Sequence, residues 1–175
     1  MPGASAGKTS APTPIKPAIA AAEYLSATPP VTGTAPVTST TSVTGTTTVT
    51  ALANDLFQRI NDLRAQNDLG PLTWNAQLAA AALRHSQDMS RTGNVSHTGS
   101  DGTLEQQRIR DAGYTGSRTD ETVYGGRVTV DEVWHFWTSD KVHANVLLEA
   151  KYRDIGIAVV NVGDRYYYTA DFGAP

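Results

Sequence analysis

Ten of the twenty residues in "VTGTAPVTSTTSVTGTTTVT" (31–50) are threonine, and none is larger and more apolar than valine. Such a stretch cannot bury enough surface to offset the backbone entropy lost on ordering, roughly 1–2 kcal/mol per residue. Any fold must therefore be built from the residues C-terminal to it. We read residues 1–50 as a disordered Thr/Ser/Pro/Ala-rich stalk or linker and 51–175 as one domain. Tracts of this composition space domains away from a surface and can carry O-linked sugars. The alternative reading of 31–50 is a threonine-rich edge strand. The chain has no cysteine, which excludes a disulfide scaffold and a thiolate zinc site. The core must form by apolar burial alone.

From residue 52 the pattern turns globular. Leu52, Leu56, Ile60 and Leu63 recur at spacings of three and four, which predicts an amphipathic helix over 52–68, ended by Gly70-Pro71. "LTWN" (72–75) reads as a short extended link. Asn75 is placed to cap a second helix reaching Thr92, with Gly93 just past its end. "TLEQ" (103–106) has the form of a capping box for a third helix ending at Gly113, and "TVDE" (129–132) has the same form before "VWHFW". The remainder is strand-like: "ETVYGG" (121–126), then "IGIAVVNV" and "RYYYTADF" on either side of Gly163-Asp164, a two-residue hairpin spacer. Helices and strands do not alternate regularly. That argues for an α+β fold with an antiparallel sheet over a doubly wound one.

Charge narrows the function classes. Residues 51–175 carry 12 Lys/Arg and 16 Asp/Glu, a balance of −4, with no basic run. That disfavours a nucleic-acid partner. No stretch of 18 apolar residues is present, so no membrane-spanning helix is expected. The first residues lack a charged segment followed by an apolar one; the expectation is that a signal was removed or that export by that route does not occur.

Four histidines, His85, His97, His135 and His143, are the candidates for chemistry. His85 shares a stripe with Leu78, Ala82 and Met89 and reads as a packed helix residue. His135, between Trp134 and Trp137, reads as structural or exposed. His97 in "NVSHTGSDG" and His143 in "TSDKVHAN" lie in polar, turn-rich surroundings where packing does not call for an imidazole. The bland reading of each is a solvated loop histidine or a helix cap. Glu121 opens a strand pattern, a position carboxylates disfavour, so it needs a partner or a solvent-filled cleft.

These blocks come in a familiar order: "GPLTWN", "AAAALRHSQDM", "NVSHTGSDG", "RIRDAGY", "DETVYGG", a tryptophan six before His143-Ala144-Asn145, "IGIAVV" and "DFG". The series resembles the bacterial branch of the CAP superfamily, the SCP-like domains of cysteine-rich secretory, antigen 5 and pathogenesis-related proteins. The resemblance covers residues 52–173. It implies a three-layer α-β-α sandwich and a cleft on which two histidines and acidic residues converge. It places His97, Glu121 and His143 in that cleft, with His97 and His143 as metal-binding positions. The family's second acidic residue has no clear counterpart; Glu132 is the substitute, with Asp140 another. Two departures stand out. The usual "GEN" is Asp120-Glu121-Thr122, and the Pro-Gly before His143 is missing.

Two imidazoles and carboxylates support two readings. Neutral imidazoles can hold a divalent metal, zinc favoured and not needed for folding. A Glu-His pair can also act as base and acid, and a zinc ion with an open position can activate water. No G-x-S-x-G or H-E-x-x-H is present, and enzyme activity stays undecided, with a non-catalytic module favoured. The resemblance implies an extracellular or cell-surface module binding a small lipid or sterol, a peptide or a glycan. Trp134, Trp137, Tyr124 and Tyr166 to Tyr168 could line its groove, although period two favours core positions for most of these rings. A metal-dependent hydrolase or peptidase and an adhesive surface domain are the other two classes. Oligomeric state is not predicted.

Overall fold

The computed structural model describes residues 43–175. Among these described residues five helices and four strands succeed one another in the order α1 (Val43–Gln66), β1 (Thr73–Trp74), α2 (Ala76–Thr92), α3 (Glu105–Asp111), β2 (Arg118–Gly126), α4 (Val130–Ser139), α5 (Lys141–Leu147), β3 (Asp154–Val162) and β4 (Arg165–Ala174). The strand order is β1-β3-β4-β2. β2 and β3 flank β4 in antiparallel register, as expected; the two-residue β1 adds a parallel pair with β3. The "LTWN" link is thus a short strand.

The sheet separates two helical layers. On one face Leu56 and Ile60 of α1, Val133 and Trp137 of α4 and Leu147 of α5 pack on Ile155, Ile157, Tyr168, Ala170 and Phe172. On the other, Met89 of α2 meets Val123 and Tyr167, and Leu78 and Ala81 meet Ile109 and Tyr114. The alternation along β4 sends Tyr167 to one layer and Tyr168 to the other, as period two requires. Trp137, Tyr167 and Tyr168 are buried core residues.

The second helix matches its expected signals. The Asn75 side chain accepts from the Gln77 and Leu78 amides, and Gly93 closes the helix at φ 70°, a left-handed geometry that glycine adopts without a Cβ clash. The helix lies directly on β3 at Gly156: a Cβ there would stand 2.0 Å from the Ala79 nitrogen. The Thr129–Glu132 capping box forms.

Three expectations are corrected. α1 begins at Val43, nine residues before 52, and so crosses the boundary placed at residue 50. Val49 and Leu52 pack against the core, so tertiary contact carries helix into sequence that looks unsuited to it. The rest of the stalk assignment, residues 1–42, lies outside the described residues. The Thr103 box does not form: Asp101 takes the Thr103 hydroxyl, and α3 starts with Leu104 at its cap without a side-chain bond. The segment around His143 is a short helix rather than a loop, capped by the Asp140 carboxylate at the Val142 and His143 amides.

β2 is an edge strand, and it is capped. The Glu121 amide donates to the Asp120 carboxylate, and the Trp137 indole donates to the Val123 carbonyl. Both bonds occupy edge groups that would otherwise be open to pairing with another strand.

Candidate functional site

A cleft of about 450 Å³ opens over the edge strand. The loop after α2 supplies His97 and α3 supplies Glu105. β2 supplies Arg118, Asp120 and Glu121, and α5 supplies Val142, His143 and Asn145. His97 and His143 thus reach one cleft from the two helical layers on either face of the sheet.

Glu121 is the hinge of this arrangement. It is 3% exposed, yet both its oxygens are engaged. Oε1 accepts from His97 Nδ1 at 2.8 Å, and Oε2 accepts from Arg108 Nη2 at 2.6 Å. Arg108 is itself buried and also donates to the Thr103 and His97 carbonyls. A buried carboxylate in a strand is tolerated because a buried guanidinium neutralises it. The carboxylate in turn raises the His97 pKa above the usual histidine value, chiefly through its hydrogen bond and against the opposing effect of burial.

His143 is arranged in the same way by a different residue. Its Nδ1 donates to Asp140 Oδ1 at 2.9 Å, and this bond holds the Asp140 carboxyl below its ordinary range. Each neutral ring therefore has its Nδ1 hydrogen committed to a carboxylate, and its Nε2 lone pair is left for another partner. The His143 ring also packs against Phe136, with centroids 4.8 Å apart.

Of the sequence candidates, His97, Glu121 and His143 line one cleft. Glu132 does not line the cleft: it sits in its capping box, accepting from the Thr129 amide and hydroxyl. Asp140 serves as the orienting partner of His143. His85 is fully buried, donating from Nε2 to the Ser96 carbonyl at 2.7 Å, and burial lowers its pKa. That is the packed role its stripe predicts, but it also lies 3.8 Å from Glu121. His135 is exposed. Arg108 and Asp171 are absent from the sequence candidates, although their "RIRDAGY" and "DFG" blocks belong to the resemblance. The one signal for Arg108 is an arginine beside the core residue Ile109 on a short helix.

The family model that matches this chain is that of CAP, the cysteine-rich secretory protein family, and it covers residues 57–172. The chain belongs to the CAP family. A membrane protein of Bacillus subtilis is 26% identical over 112 residues, covering 64% of this chain and 31% of that protein. The CAP match thus spans about a third of that relative's length. Three solved structures share the fold. An outer surface protein of Borrelia burgdorferi superposes with a TM-score of 0.67 at 22% identity, covering 71% of this chain and 92% of the other. An extracellular SCP-domain protein of Bacillus anthracis gives 0.68 at 20% identity, covering 73% and 41%. A cysteine-rich secretory protein of Staphylococcus aureus gives 0.61 at 22%, covering 73% and 39%. At these identities the likeness establishes the CAP α-β-α fold. No helix among the described residues is long and apolar enough to cross a membrane.

Proposed function

We propose that this CAP domain is a non-catalytic binding module, displayed outside the cell or at its surface. On this reading its His97–His143 cleft holds a divalent metal, zinc favoured, together with one end of a small ligand. The observation that carries the reading is the paired arrangement of the imidazoles. His97 leans on Glu121 and His143 on Asp140, each through Nδ1. A carboxylate behind each ring fixes the tautomer and leaves Nε2 to meet a partner, the usual outer support of a metal-binding histidine. Among the described residues no group of three or more His, Asp or Glu is gathered closely enough to hold a metal. On this reading the protein donors are the two imidazoles, and the remaining positions would fall to water or ligand. Bound there, the metal supplies a Lewis-acid anchor for a polar or anionic ligand group. On this reading folding is driven by the apolar core and does not depend on the metal.

The ligand reading rests on the cleft mouth. Val142 lines it and is 71% exposed. An apolar lip beside charged walls suits a molecule with a polar head and an apolar body: a lipid or sterol, or a peptide or glycan with an apolar face. Surface display is supported by the names of the Borrelia and Bacillus anthracis structural relatives. The deciding experiment is calorimetric titration of the purified chain with zinc. One site is expected, weakened in His97→Ala and in His143→Ala with folding retained. Equal affinity in wild type and both variants would remove the cleft from consideration.

A further inference from the structure

Asp171 is a described residue that the cleft leaves unexplained. It is fully buried, and neither carboxyl oxygen has a hydrogen-bond donor. An ionised carboxylate in that state would be severely destabilising. Asp171 stands directly across from Glu121 in the β2–β4 register and across from Gly156 in the β3–β4 register. Paired residues present their side chains on the same face. That places it in the α2 layer, where Gly156 adds no side chain. The Asp171 and Glu121 side chains are therefore direct cross-strand neighbours on one buried face, with Cβ atoms about 5 Å apart. Two opposed carboxyls shielded from bulk water favour one shared proton over two negative charges.

We propose that Asp171 is a positioning residue for the cleft: as a neutral acid it donates its proton to Glu121, completing the set of donors that orients this carboxylate behind His97. This rests on the reading of His97 as a ligand. Glu121 then has three anchors: His97 from the loop after α2, Arg108 from α3 and Asp171 from β4. The charged and titratable groups around the pair are consistent with one shared proton. Arg108 is the buried cation that touches Glu121, and it balances one negative charge. His85, from α2, is held neutral by burial. Glu105 of α3 adds a further negative charge that opposes ionisation of Asp171. Burial first, and then Glu121, push the Asp171 pKa well above the ordinary carboxylate range. One proton in the pair leaves the two carboxyls a combined charge of −1, which Arg108 matches.

Two measurements test this. Infrared difference spectra of the full chain, wild type against Asp171→Asn at neutral pH, should contain the carbonyl stretch of an un-ionised, buried carboxylic acid in the wild type only. Absence of that band from the wild type overturns the proposal, whether or not any metal binds. Zinc titration is the second. Asp171→Ala should bind zinc roughly tenfold more weakly, the usual effect of losing an outer-shell partner. Asp171→Asn, whose amide can still donate to Glu121, should restore wild-type affinity. Equal weakening in both variants, or in neither, overturns the positioning role. If wild type binds no zinc while the acid band is present, the metal reading fails and the shared proton stands.

Discussion

Glu121 concentrates the electrostatics of this domain in one side chain. Its carboxylate meets Arg108 at 2.6 Å and His97 at 2.8 Å, with His85 3.8 Å away. Removing Arg108 leaves that charge buried and unpaired, so Arg108→Met should destabilise the fold by roughly 3–5 kcal/mol in urea denaturation. A change below about 1 kcal/mol would mean that the pair contributes little. The two neighbouring histidines should give opposite pH signatures. The folded pKa of His97 lies above its unfolded value, so its stabilising contribution is full below about pH 6.5 and is lost as pH rises through the folded pKa. His85 has a lowered folded pKa. It is stabilised as the neutral ring, and stability is lost as pH falls below about 6.5 toward that lowered value. In His97→Gln only the second effect remains. Stability measured from pH 8 down to pH 5 should therefore fall more steeply in the variant than in wild type; a parallel pair of curves would contradict the assignment.

Elements of this domain are held at their ends. The Asn75 side chain satisfies two amides at the start of α2, and that helix reaches both the core and the loop bearing His97. Asn75→Ala should cost about 1 kcal/mol, read from the thermal midpoint, without changing zinc affinity. A larger device joins α1 to the far side of the cleft. Arg64 is fully buried and donates to the carbonyls of Gly70, Leu147, Glu149 and Tyr152. It has no carboxylate partner among these bonds; four carbonyls disperse its charge, and desolvation lowers its pKa. Glu149 and Tyr152 line the cleft, so this arginine ties the first helix to the cleft wall. Arg64→Met would leave those carbonyls without their donor and should destabilise by roughly 3 kcal/mol. Loss of less than about 1 kcal/mol would show that water replaces it.

At the scale of the molecule, the cleft exists because two helical layers both reach past the free edge of β2. Each layer contributes one histidine, so the site depends on the sandwich being complete. The entry of α1 is part of that completeness. A chain beginning at residue 51 lacks Val49, which packs on the core beside Leu52 and Phe57. It should melt at a lower temperature than a chain beginning at Val43, by an amount equivalent to about 1 kcal/mol for a half-buried valine. Removing residues 1–42 should leave the midpoint unchanged, because their composition offers no core. Equal midpoints for chains starting at 43 and 51 would restore the boundary at residue 50.

Local chemistry made much of this legible in the sequence. Asn75 and Gly93 bracket α2, Thr129 and Glu132 open α4, and Gly163-Asp164 turns the hairpin, because caps and turns are short-range bonds written in a few adjacent residues. Alternation along "RYYYTADF" divided the tyrosines between layers, since period two needs no knowledge of the partner. His97, Glu121 and His143 were legible as polar residues without a packing role, joined by block order. What the sequence could not decide was contact between distant segments. Helix before residue 52 depends on Val49 meeting a core assembled elsewhere. Asp101 took the Thr103 hydroxyl from its helix, and Glu132 stayed at its own helix terminus instead of entering the cleft. Arg108, thirteen residues before Glu121, became its partner, and Asp171, fifty after it, its cross-strand neighbour, only when α3 and β4 were laid beside β2. A buried charge must find its counterion in space, and spacing along a chain does not encode where that will be.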